Sequence, residues 1–286
     1  MITASGSTIN FAAATVNPDN ITNYQKIKLV NTTSNDGIYT AVLLSGSTYT
    51  LTPAVTADET CPAGSLAKGR MIRDDSTNCP LFVEKGYTDL ANPLYKYFIG
   101  LECNTYGITI PTEGIVTCSA ALIGLDGGNY DTTSYPDATY TETSETTTPV
   151  IAASKNISFY INDSAKECLI IDQKIDINNK LTGLKSAGKY GTCKLSSGNL
   201  EVSMDMNIYF IDSTYKDRLF NETTFSAYTV LEDKLGATTV FTFPQLKMKS
   251  DDTPTSSAEA ITEAIKTDAE YSSTYGCKIQ IDQFSA

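Results

Sequence analysis

The chemistry open to this chain is set by a short inventory of reactive side chains. No histidine occurs in 286 residues, which removes Ser-His-Asp and Cys-His nucleophiles and every imidazole metal ligand. Cys61, Cys79, Cys103, Cys118, Cys168, Cys193 and Cys277 form no C-x-x-C pair, so a zinc site would need ligands gathered from distant segments. Cys61 and Cys79 lie close enough for a local disulfide, whereas Cys103 and Cys118 sit in apolar alternation and read as small buried side chains. Asp126 and Asp131 approach a calcium loop, but the D-x-[DN]-x-[DN]-G spacing is absent. Arg70 and Arg73 could touch phosphate, although isolated arginines in an acidic chain more often satisfy surface or interface charges. There is no G-x-G-x-x-G or Walker loop, and GLDGGNYD lacks a following helix to cradle an anion. The expectation is no catalytic residue, no cofactor-binding residue and no metal ligand.

The elements that would position any site read as strands. The stretch Phe82 to Leu125 organises the chain: Tyr95, Tyr97, Ile99, Leu101 and Cys103 alternate with Lys96, Phe98, Gly100 and Glu102, and Ile108 and Ile110 resume the period. Pro111 and Thr112 to Gly114 read as a turn, after which Val116, Cys118, Ala120 and Leu122 share a face expected to pack the core. The Asp89 to Tyr95 connection is the expected reach toward a neighbouring subunit. Earlier, Ile27 and Leu29 mark one strand, Ile38 starts a second after the Asp36 and Gly37 turn, and Tyr49 to Leu51 adds a third. Val55 to Ser76 reads as irregular.

Residues 126–150 are acidic, threonine-rich and almost free of aliphatic side chains, so they read as an exposed loop or arm, with Tyr130, Tyr135 and Tyr140 as anchors. Beyond it, Ile157 to Ile161 and Leu169 to Ile177 alternate, and Leu200 to Phe210 is the clearest strand. Thr214 to Thr224 reads as one or two helical turns with Tyr215, Leu219 and Phe220 inward. A hairpin about DKLGA joins Phe225–Leu231 to Thr239–Phe243. Residues 256–270 are ambiguous. Ser256 and Glu259 form a capping box, with Ala258, Ile261, Ile265 and Ala269 at helical spacing, which favours helix; Ile265, Thr267, Ala269 and Tyr271 would share a strand face instead.

With 33 acidic against 21 basic residues, the net charge of −12 favours solubility and disfavours a surface that grips nucleic acid or anionic lipid. MITASGSTINFAAATV lacks the basic-then-apolar order of a secretory signal, and no run approaches the roughly 18 apolar residues of a membrane span. The N-x-S/T sequences at Asn20, Asn31, Asn156, Asn162 and Asn221 reflect a chain rich in Asn, Thr and Ser. The fold class expected is all-β, a β-sandwich or partly closed barrel of antiparallel sheets with short helical elements. Residues 1–58 form a small N-terminal β-module and 59–286 the main body.

The central block resembles the phage major tail tube proteins of long non-contractile tails. The matching residues are Phe82, Glu84, Lys85, Asp89, Tyr97, Gly100, Asn104, Ile110, Gly114, Ile115, Val116, Thr117 and Gly124. KIDINNKL, Gly198 to Phe210, YKDRLFN and VFTFPQLKM at 240–248 continue it more weakly, and NDGIYTAV at 35–42 looks like the family's small β-module. The resemblance implies a non-enzymatic virion subunit, assembled in the host cytoplasm, that stacks as hexameric rings into a hollow tail tube. Implied partners are further copies, a tape measure protein, and tail terminator or tail-tip proteins. Double-stranded DNA would pass through the lumen without specific binding, and no membrane is involved. Two departures stand out: family members carry core strands before the module, and they read as strand where this chain reads as helix at 256–270. An extracellular β-rich adhesin or surface-layer module, or a tail-tip attachment component, are the alternatives.

Overall fold

The computed structural model describes residues 2–5, 8–11, 21–45, 48–61, 65–74, 79–135, 149–150, 157–166, 169–188, 190–252 and 261–285. The first strands are β1 (Ile2–Ser5), β2 (Thr8–Phe11), β3 (Gln25–Leu29), β4 (Gly37–Ser45), β5 (Thr48–Thr52), β6 (Glu59–Cys61) and β7 (Leu66–Lys68). They form one seven-stranded sheet, ordered β6-β1-β2-β5-β4-β3-β7. The central strands are β8 (Arg70–Arg73), β9 (Leu81–Tyr87), β10 (Leu94–Ile110), β11 (Thr117–Ile123), β12 (Asp126–Gly127), β13 (Ile157–Ile161) and β14 (Ser164–Ala165). Then come β15 (Ile170–Asn178), β16 (Thr182–Leu184), β17 (Lys194–Ser196), β18 (Glu201–Tyr209), helix α1 (Thr214–Phe220), β19 (Phe225–Glu232), β20 (Thr238–Asp252), β21 (Thr262–Ala269) and β22 (Gln280–Phe284). Thus Val55 to Ser76, which lacks local periodicity, contributes three short strands whose partners are distant in sequence.

The second sheet folds over on itself at β20. One edge of this strand pairs with β19; along the other, Thr238–Thr242 pair with β22 and Leu246–Asp252 with β21. Pro244 lies between the two partners, where a missing N–H costs the ladder nothing. One layer is therefore β11-β10-β15-β18-β21 and the other β8-β22-β20-β19-β13, the corner arrangement of a β-sandwich. Between them Val202, Met204, Met206 and Ile208 of β18 meet Phe241, Phe243, Ala227 and Leu231. The seven-stranded sheet covers the second layer's other face, with Tyr228, Val230, Val240 and Phe284 against Ile38 and Ala67. That double coverage is why β19 is buried without alternation.

Several expectations need correction. Residues 262–269 are strand, not helix: Glu263, Ile265, Thr267 and Ala269 face inward while the backbone bonds to β18 and β20, so sheet pairing outweighs helical spacing. The capping-box residues lie outside the described residues. Phe220 is exposed, while Tyr215 is buried and Leu219 packs on the core. In the first hairpin Gly37 takes a positive φ, 157°, as expected, but the other positive-φ residue is Asn31, at φ 56°, and not Asp36. Asp36 instead closes the loop by accepting from the Thr32 N–H and hydroxyl. Cys79 is an exposed free thiol, and the Cys61 side chain lies outside the described residues.

Candidate assembly surface

β10 serves two structures. From Glu102 to Ile110 it belongs to the sandwich, between β11 and β15; from Leu94 to Leu101 it leaves the body as one strand of an arm. The transition follows from two local irregularities. Asn104 is an extra residue in the ladder with β11, and it inverts the alternation so that Leu101 and then Ile108 and Ile110 face inward. Its carbonyl accepts from the Asn179 N–H and its side chain from the Leu181 N–H. Gly100 adopts φ 61°, and a Cβ there would sit 2.6 Å from Leu125, so this bend requires glycine.

The arm is three-stranded. β9 pairs along one edge of β10, while β12 and then Asp131 pair along the other, with Tyr95 and Asp131 exchanging hydrogen bonds of 2.8 and 2.9 Å. The first part of 126–150 thus runs back along the arm; residues 136–148 lie outside the described residues. Phe82, Tyr97 and Tyr135 cluster with ring centroids 4.8–6.0 Å apart, and Tyr87 meets Tyr130 at 6.1 Å. Lys96 lies 5.2 Å from the Tyr130 ring, and a hydrogen bond between Lys85 and Tyr87 raises the lysine pKa and lowers that of the phenol. Leu81, Phe82, Leu90, Ile99 and Tyr130 remain exposed. Clustered exposed apolar side chains of this kind mark interaction surfaces.

β11 ends the first layer. Its sole ladder among the described residues is with β10, and Thr117 through Leu122 are exposed. Of the expected core face, Val116 packs partly buried against the main core, whereas Cys118, Ala120 and Leu122 are exposed, because among the described residues no second layer covers β11. Val116 and Cys118 border an open groove of about 440 Å³ whose far side carries Ile72 and Phe284. The strand TCSAALI also has no lysine, proline or charge, the devices that keep free edges from pairing.

Other candidates have local roles. Arg73 donates to Gln280 and to the Asn23 carbonyl, tying β8 to β22 and to the turn before β3; Arg70 is exposed. Asp126 accepts from the Gly127 N–H and Asp131 from Thr133, each ordering its own turn. Among the described residues no three metal-binding side chains converge, and no helix is long and apolar enough to cross a membrane.

Sequence reasoning missed three buried ionisable groups. At the junction of the sheets, Lys26 is 1% exposed; its Nζ donates to Thr40 at 2.8 Å and sits 3.5 Å from the Tyr228 ring centroid. Burial lowers its pKa to about 8, while burial pushes Asp282, which accepts from Gln280, up to about 6. At one end of the sandwich Glu263 is also 1% exposed, and burial, then the adjoining Asp251 carboxylate, pushes it up to about 7.

Against known proteins, a family model described as phage tail tube protein matches residues 3–273. A search of curated proteins gives no match. One similar solved chain comes from a cryo-EM structure of the anti-feeding prophage baseplate, 6-fold symmetrised, at 10% identity, covering 39% of this chain and 85% of that one, with a TM-score of 0.29. With the family model spanning nearly the whole sequence, the chain belongs to the phage tail tube protein family.

Proposed function

We propose that this chain is the structural subunit of a hollow tail tube, closing into hexameric rings that stack and conduct double-stranded DNA. The observation that carries the reading is the uncapped, uncharged edge of β11 beside an apolar arm, within the span the family model matches. A lone chain gains nothing from such an edge, whereas a ring pairs it. The family is structural and not catalytic. In this reading residues 1–58 are an added module, whose sheet also takes in β6 and β7 up to Lys68, and the rest of 59–286 is the assembling body, with 126–135 running along its arm. The net charge of −12 suits a conduit that phosphate slides past. Partners would be the tape measure, terminator and tail-tip proteins, with assembly in the host cytoplasm. Electron microscopy of the purified protein should show rings or tubes of constant bore. Particles that stay monomeric even with virion components would sink the assignment.

A further inference from the structure

A cavity of about 400 Å³ opens between the β13–β14 turn, the end of β18 and helix α1. That size lies toward the small end of ligand pockets, which run from roughly 300 to 1,000 Å³. Its floor belongs to the core, since Ile161, Leu169 and Ile208 line it and are buried. Ile211, also in the lining, is 71% exposed and marks the mouth. Set among these apolar side chains is Arg218. Its guanidinium lies over the Tyr215 and Phe225 rings, 5.6 and 4.8 Å from their centroids, and forms no salt bridge among the described residues. Stacking satisfies the flat face of the cation, but its N–H groups lie in the plane and still require acceptors. Nη1 is buried with none. A second cation, Lys166, lines the same cavity and is likewise without a salt bridge among the described residues.

The acids of the lining are engaged elsewhere. Asp212 accepts from the Thr214 N–H at 2.8 Å, and hydrogen bonding with Thr214 lowers its pKa. Glu263 shares a hydrogen bond with Asp251; burial, and then that neighbouring carboxylate, pushes it up to about 7, so below that pH one proton serves the pair. Neither carboxyl group is bonded to Arg218. A charged donor left without an acceptor in a buried site is costly, so the cavity calls for an anion. The walls narrow the choice. Apolar side chains favour a ligand with an apolar stem, and the Asp212 carboxylate disfavours a head such as a phosphate monoester, which carries about −1.5 to −2 charge at pH 7. We propose that the cavity binds a small amphipathic carboxylate, its head accepting from Arg218 Nη1 beside the positive charge of Lys166 and its stem against Ile161, Leu169 and Ile211. This site is independent of the tube reading.

The test is calorimetric titration of the full chain, just below neutral pH, with octanoate, acetate, 1-octanol and octyl phosphate. Octanoate should bind once per chain. It should bind at least about tenfold more tightly than acetate, which lacks the stem, or 1-octanol, which lacks the charge, and more tightly than octyl phosphate. Arg218→Gln should lose about tenfold or more of the octanoate affinity, and Arg218→Lys should recover part of it. Lys216→Gln removes an exposed charge of α1 outside the lining and should change the affinity by less than about twofold. Octanoate should also slow alkylation of a thiol introduced at the mouth by Ile211→Cys, followed by peptide mass spectrometry with the native thiols as internal controls. That measurement keeps Arg218 in place and so reads the site even where Arg218→Gln fails to fold. Absence of octanoate binding, equal binding by folded Arg218→Gln, or alkylation at position 211 that octanoate does not slow overturns the site. Octyl phosphate binding more tightly than octanoate overturns the carboxylate assignment.

Discussion

Glu263, Asp282 and Lys26 are buried where charge is costly, and each sets a direction of pH dependence. Glu263 and Asp282 keep their protons in the folded chain where an unfolded chain has lost them. Their contribution is complete below the unfolded values and is lost as pH rises, from 4.5 to about 7 for Glu263 and from 3.8 to about 6 for Asp282. Lys26 works the other way: stability is lowest below about pH 8 and recovers as pH rises toward 10.5. Urea unfolding should therefore show stability falling between pH 5 and pH 7.5, and Glu263→Gln should flatten that fall. An unchanged slope in the variant would show that Glu263 does not hold the proton. Lys26→Met should fold, with stability near wild type at neutral pH, because it removes a buried charge while keeping the volume. Its stability should lose the rise between pH 8 and 10.5 seen in the parent. None of this is legible in QKIKL, where Lys26 reads as an outward residue alternating with Ile27 and Leu29. It is buried because β19, some 200 residues later, supplies Tyr228 over its Nζ.

At the level of elements, alternation reports a strand but not what covers it. β18 was legible because both facts coincide: Val202, Met204, Met206 and Ile208 alternate and the opposing layer buries all four. Met204→Ala should cost about 2–5 kcal/mol in denaturant unfolding. β11 shows the same period and none of the burial, because its position at the end of the sheet depends on strand order. Leu122→Asp should consequently leave monomer stability within about 0.5 kcal/mol of wild type and abolish polymerisation in light scattering. Loss of folding in that variant would restore a core role for β11. The segment 262–269 failed for a related reason: Ile261, Ile265 and Ala269 satisfy helical spacing, but Thr267, buried with its hydroxyl donating 2.6 Å to the Met204 carbonyl, belongs to a strand face. Gly100 separates body from arm. Gly100→Val meets both the positive φ and the Leu125 side chain, so it should misdirect the arm and stop assembly even in molecules whose sandwich still folds.

For the whole molecule, charge and edge pull against each other. Copies of a chain of net charge −12 repel one another, while in the proposed tube the β11 edge and the arm would attract over short range. Added salt shortens the Debye length from about 10 Å at 0.1 M to about 3 Å at 1 M, which weakens the repulsion and leaves apolar and backbone contacts nearly intact. Polymerisation should therefore accelerate as salt rises, and again as pH falls toward the sequence pI of about 4.5. The same charge that slows association in dilute buffer would keep DNA off the finished wall. Assembled tubes should thus show no retention of double-stranded DNA in a sedimentation assay at physiological ionic strength. Polymerisation inhibited by salt would mean that complementary ion pairs, rather than the uncharged β11 edge, hold the subunits together. Salt-sensitive binding of DNA to the tubes would mean that a basic face lines the bore, and the conduit reading of the acidic chain would fall.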